Sequence, residues 1–215
     1  MHVRTILFAA IAATAFQASA ADKIPIVNEG SLGDHWTLVP GTQQAPTYPE
    51  AFAKKQDKVC VTVGYVIGAD GYTSDYALVK SWSSSNTSSR NTDYWGAYAN
   101  AASQALAQRQ YAPKAGAKPV FTSTTFAFGG DEDATRAHCA ISDLATRMVE
   151  LRYNDRAGRM MAGGIYARLE IDPDVEARTR HRNTKMREYE QESQMRVNEA
   201  DLQATSPPPS SSSSK

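Results

Sequence analysis

The sequence predicts an α+β domain in the order strand, strand, helix, strand: a three-stranded antiparallel sheet with one covering helix. Three observations predict it. Val59, Val61, Val63, Tyr65 and Ile67 recur at every second position, the period of a half-buried strand. Asp70-Gly71 follows directly, and Gly71 is free to take the positive φ of a hairpin turn. Tyr94, Tyr98, Ala101, Ala102, Ala105 and Leu106 then fall on one stripe at helical spacing. A hairpin, a helix and one more strand make a small sandwich with a single buried face.

Each element follows from its residues. The first strand lies within residues 58–68, and the turn Ala69-Asp70-Gly71 leads to a second strand through about Tyr72–Lys80. Ser81–Thr92 is a Ser/Asn/Thr loop whose end supplies the helix N-cap, Thr92 or Asp93. The helix runs from Tyr94 to about Gln108 and is broken by Tyr111-Ala112-Pro113. Val120–Phe128 is the third strand, with Phe126 and Phe128 on one face. Ahead of this domain (48–130), residues 21–47 form an irregular lead-in segment holding Pro25, Pro40 and Pro46. After it, residues 131–202 are polar, rich in Arg and Glu, and mainly helical in composition. Residues 203–215 are a Pro/Ser tail expected to be disordered.

The first residues read as an export signal. Arg4 gives a positive start, Ile6 to Phe16 is almost wholly apolar, and Ala18-Ser19-Ala20 is a small-residue cleavage site. Thr5–Ala20 as a helix measures roughly 24 Å, short of a hydrocarbon core of roughly 30 Å. A cleaved signal peptide over residues 1–20 and a periplasmic location are therefore expected, ahead of inner-membrane anchoring. In that oxidising compartment the two cysteines, Cys60 and Cys139, favour a disulfide, with two unpaired buried thiols as the alternative. Cys60 has the opposite parity from Val59 and Val61, so it points to the face that the helix does not cover. A bond to Cys139 staples the segment after the third strand across that face.

The middle of the chain resembles the C-terminal domain of TonB proteins. Tyr48-Pro49-Glu50-Ala51-Phe52-Ala53 is similar to the Tyr-Pro and short helix that open such domains. The valine-alternating strand Val59–Ile67, the turn Asp70-Gly71 and the strand Thr73–Lys80 follow in the family's order. Tyr98, Ala101, Ala102, Ala105, Tyr111 and Pro113 are similar in position to its helix and aromatic-x-Pro ending. Val120–Phe128 is similar to the closing strand. Arg109 stands where the family pattern has a Trp, and the lead-in segment is not the long Pro-rich linker of a typical TonB.

The resemblance implies binding of an extended peptide from an outer-membrane receptor. Physically, an open sheet edge accepts a strand through main-chain hydrogen bonds. The expected acceptor edge is Val120, Phe121, Thr122, Ser123, Thr124, Thr125 and Phe126. The partner implied is a protein of the cell envelope, with a TonB-dependent receptor as the leading candidate. A homodimer or the chain's own tail on the same edge is the competing occupant. The functional alternative is an envelope structural or assembly module that reuses the fold without energy transduction.

Other chemistries find no signature. Lys+Arg and Asp+Glu are 23 each, a balance that gives no basic footprint for nucleic acid. His2, His35, His138 and His181 do not cluster, and His138 beside Cys139 reads as a solvated neighbour. No Gly-x-Ser-x-Gly elbow or phosphate-binding glycine loop occurs, so no enzyme activity, cofactor or metal is expected. Asp131-Glu132-Asp133 suits the start of a helix. Met160-Met161-Ala162-Gly163-Gly164 reads as a hinge. Asp172–Leu202 carries Arg178, Arg180, Arg182, Lys185 and Arg187, then Glu188, Glu190, Glu192 and Glu199. A docking or coiled-coil helix is one reading of it. Met186, Tyr189, Met195 and Val197 are too sparse for a heptad seam, which favours a mobile, partly helical tail.

Overall fold

A computed structural model describes residues 23–87, 91–154 and 164–205. The expected signal peptide and cleavage site, most of the expected hinge and the final residues of the tail lie outside them. Among the described residues no helix is long and apolar enough to cross a membrane. The fold is α+β around a three-stranded antiparallel sheet in the order β4-β3-β6, where β3 is Val59–Ile67, β4 Thr73–Ser83 and β6 Val120–Phe128. The register runs Val59↔Phe128 to Ile67↔Val120 on one side of β3 and Val59↔Ser83 to Ile67↔Thr73 on the other. Gly71 takes φ 79° in the hairpin turn, and Gly71 N–H donates to the Gly68 carbonyl at 3.0 Å.

Helix α1 (Thr92–Ala107) lies on the face formed by the odd-numbered residues of β3. Val59, Val61, Val63, Tyr65 and Ile67 pack there with Tyr94, Tyr98, Ala102, Ala105 and Leu106. Trp95 joins this core too, beside the stripe expected from spacing. The N-cap is Asn91, one residue ahead of the expected pair, and its side chain accepts from Tyr94 N–H at 3.1 Å. The short helix after Tyr48-Pro49 is a 3₁₀ turn, Glu50–Lys55, whose Phe52 meets the Tyr94 ring edge-on.

A single covering helix does not describe the sheet. Every residue of β3 is buried, because the opposite face is covered as well. There Val66, Ala77, Val79 and Phe121 pack against Leu144, Met148 and Leu151 of α3 (Leu144–Asn154). These three recur at i, i+4 and i+7, one face of a helix. Gly64 sits at the middle of this face because the Phe121 ring lies over it: a Cβ there would come 2.4 Å from Phe121 Cζ. Between β6 and α3 in the chain comes α2 (Glu132–Ala137), capped by Asp131, whose side chain accepts from the Asp133 and Ala134 N–H groups. Just beyond α2, Cys139 forms a disulfide with Cys60, with Cα atoms 6.0 Å apart. Thr62 Oγ1 donates to the Cys139 carbonyl at 2.7 Å, which fixes the same crossing.

The lead-in segment is more ordered than its composition suggests. β1 (Ile24–Pro25) pairs in parallel with β7 (Leu169–Glu170), which follows the short helix α4 (Ile165–Arg168). β2 (Trp36–Leu38) pairs antiparallel with β5 (Tyr111–Pro113). Trp36 is buried in the α1 core, and its Nε1 donates to the Lys118 carbonyl at 3.3 Å.

The last helix, α5, is continuous over Pro173–Thr205 and so runs into the expected tail. Its first half docks on α3. Thr179 is buried, Arg182 reaches Glu150 at 3.4 Å, and Arg187 donates to the Tyr153 carbonyl at 3.3 Å. Beyond Arg187, Tyr189, Met195 and Val197 are exposed. A chain ended after Arg187 should therefore unfold in urea within roughly 0.5 kcal/mol of the full chain. A larger loss would show that the distal helix packs on the body.

Candidate partner-binding edge

The sheet has two edges, and they differ. On β4 the register slips twice against β3: Val79 falls between the paired Leu78 and Lys80, and Asp75 stands at φ 53°. Arg147 Nε caps the Val79 carbonyl at 2.9 Å, and Arg168 pairs with Asp75 at 2.9 Å. Bulges and charges make a poor template for an incoming strand.

β6 pairs with β3 without a slip. Val27 N–H donates to the Phe121 carbonyl at 2.9 Å, so the main-chain groups of Phe121 face away from β3. In an antiparallel strand the two sides alternate, which places the outward groups of Ser123, Thr125 and Ala127 on the same side. The parallel bridge Ile26↔Phe121 covers the start of this edge, and the 3₁₀ turn Glu29–Asp34 packs along it next. Of the expected acceptor residues, Val120 and Phe121 thus lie under the chain's own lead-in segment. The side chains of Val120, Phe121, Thr122, Ser123, Thr124, Thr125 and Phe126 are all buried. What the edge offers a partner is main chain. Thr125 and Ala127 have no main-chain hydrogen bond on the outward side among the described residues.

A cleft of about 270 Å³ opens at the Ala127 end of this stretch. Gln43, Gln44, Ala45 and Pro46 line it together with Glu132 and Arg136 of α2 and with Phe126, Ala127, Gly129 and Gly130. Arg109, at the end of α1, also lines it. Only 7% of Arg109 is exposed. Its guanidinium lies 5.1 Å from the Phe126 ring centroid, and one terminal nitrogen reaches Thr124 Oγ1 at 3.4 Å. Its Nε has no hydrogen-bond partner among the described residues. The same Thr124 hydroxyl is 3.2 Å from Tyr65 Oη, which is 2.7 Å from Tyr111 Oη. Burial, with Tyr111 alongside, pushes the Tyr65 phenol well above its ordinary pKa. Glu29 is exposed overall, yet its carboxyl is hemmed in. That crowding raises its pKa, although Thr124, Arg109 and Arg136 pull the other way.

The strand is legible in the sequence, and the cleft is not. Arg109 stood out only as the place where an aromatic was expected. Glu29, Gln43–Pro46, Glu132 and Arg136 carry no motif, and they meet only through the tertiary fold. The disulfide joins Cys60 and Cys139 as expected. His138, beside Cys139, is exposed as expected. Its ring stacks on Trp82 at 3.8 Å between centroids.

Set against known proteins, the chain matches no family model, and no curated protein matches it either.

Proposed function

We propose that the chain is a TonB-like periplasmic protein that binds an envelope partner by adding an extended segment of it to the β6 edge. The leading candidate partner is a TonB-dependent outer-membrane receptor. The observation that carries this reading is the open outward side of Thr125 and Ala127 beside a cleft. The order of strands, turn, helix and closing strand supports it, as does a disulfide suited to an oxidising compartment. In β-augmentation the main chain supplies affinity and the flanking pockets supply specificity.

The test is crosslinking in a Gram-negative host. A photoreactive residue at Gln44, on the cleft wall, should capture an outer-membrane receptor. One at Tyr189, far along α5, should not. Ala127→Pro deletes an outward N–H and leaves the β3 ladder its donors, a substitution that edge strands tolerate. It should reduce the Gln44 product at least about tenfold, the effect of losing about 1.4 kcal/mol of binding. A product consisting of a second copy of this chain would replace receptor binding with a homodimer.

A further inference from the structure

We propose that the cleft beside β6 is a carboxylate-binding site, and that the segment added to this edge carries an acidic side chain that pairs with Arg109. The inference rests on the edge-binding reading and names the chemistry of its ligand.

A guanidinium cannot shed its charge at any ordinary pH, so a buried arginine needs an anionic or strongly hydrogen-bonded partner. Arg109 has neither. A neutral threonine hydroxyl and the face of Phe126 surround it, and Nε is unpaired. The carboxylates nearby do not meet the need. Glu132 is engaged by Arg136 on its own helix. Glu29 interacts with both arginines at longer range, and no carboxylate oxygen among the described residues lies within 4.0 Å of Arg109. Arg109 lines the cleft together with Ala127, whose outward main chain has no hydrogen bond among the described residues, and Arg136 lines it too. A carboxylate one side chain's length from a strand on Thr125–Ala127 supplies the missing charge. Such pairs are bidentate and about twice as strong as neutral hydrogen bonds.

Two end-blocked hexapeptides of alternating threonine and valine, one with a central glutamate and one with glutamine there, are titrated into the isotope-labelled mature chain. Two sets of signals are followed by NMR: the amides of Thr125 and Ala127, and the Nε–H of Arg109. The glutamate peptide should bind about tenfold tighter or more, shifting both sets. The glutamine peptide should shift only the amides. In Arg109→Gln the two peptides should bind alike, still at Thr125 and Ala127. Equal affinities in the wild-type chain, or an Arg109 Nε–H that does not move, would overturn the carboxylate site while edge binding stands. An Arg109 shift without amide shifts would keep the site and remove the edge reading. No shift at either place would remove both. Because the peptide pair is compared on the wild-type chain, the test holds even if the arginine variant fails to fold.

Discussion

Replacing Cys60 and Cys139 together by alanine is expected to lower the free energy of unfolding by about 4 kcal/mol. The two residues are 79 apart in sequence, and closing a loop of that length in the unfolded chain removes entropy worth about 4.5 kcal/mol at 25 °C. Both sulfurs are fully buried, so alanine leaves small apolar voids and no unpaired polar group. The bond joins the centre of the sheet to the end of α2. Its loss should therefore loosen the cover on one face first. Hydrogen exchange should speed up in α2 and α3, while β3 and β6 change only with global stability. The hydrogen bond from the Thr62 hydroxyl to the Cys139 carbonyl and the Leu144–Met148–Leu151 contacts do not involve the sulfurs and should keep the variant folded in buffer. Urea unfolding of the variant, and of the wild-type chain with and without reductant, measures the effect. A loss below about 1 kcal/mol would mean that the unfolded chain is already compact around this crossing.

How far the sequence reveals this fold depends on whether a residue's partner is local. Val59–Ile67, the Gly71 turn, the α1 stripe and Val120–Phe128 were legible because period and turn chemistry are written within a few residues. Cys60 was legible as a residue of the second face because parity alone places it there. The cover on that face was not read. Leu144, Met148 and Leu151 carry a helical stripe, but their surroundings are polar and the stripe names no target. β1 and β2 were invisible for a different reason. Two or three residues show no period, and Ile24 pairs with Leu169 from the far end of the chain. The binding edge was legible as a strand and illegible as a site. Nothing in Val120–Phe126 says that Val27 will occupy its start, or that Gln43–Pro46 and α2 will wall its end. Arg109 shows the limit most clearly. Its sequence position marks it as unusual, but only the fold shows a buried charge with an unpaired nitrogen.

Gly71→Ala is expected to cost about 3 kcal/mol or more. Two penalties meet there. Gly71 has φ 79°, which costs an L-residue about 1–2 kcal/mol. A Cβ would also stand 2.0 Å from the Tyr111 carbonyl oxygen and 3.1 Å from its carbon, so the backbone must move. It has little room to move. Tyr111 N–H donates to the Gly71 carbonyl at 2.9 Å, Tyr72 bridges Gln110, and β5 is held in turn by β2. The Tyr111 hydroxyl is also bonded to Tyr65 in the core, so a displaced β5 disturbs the buried network beside Arg109. Gly116 separates the two penalties, since it has φ 78° but nothing within 4 Å of its would-be Cβ. Gly116→Ala should therefore cost only about 1 kcal/mol. The excess of the first variant over the second, read from urea midpoints at unchanged slope, is the cost of the clash. If both lost the same amount, the turn would be yielding freely at Tyr111, and the contact between hairpin and β5 would contribute nothing to stability.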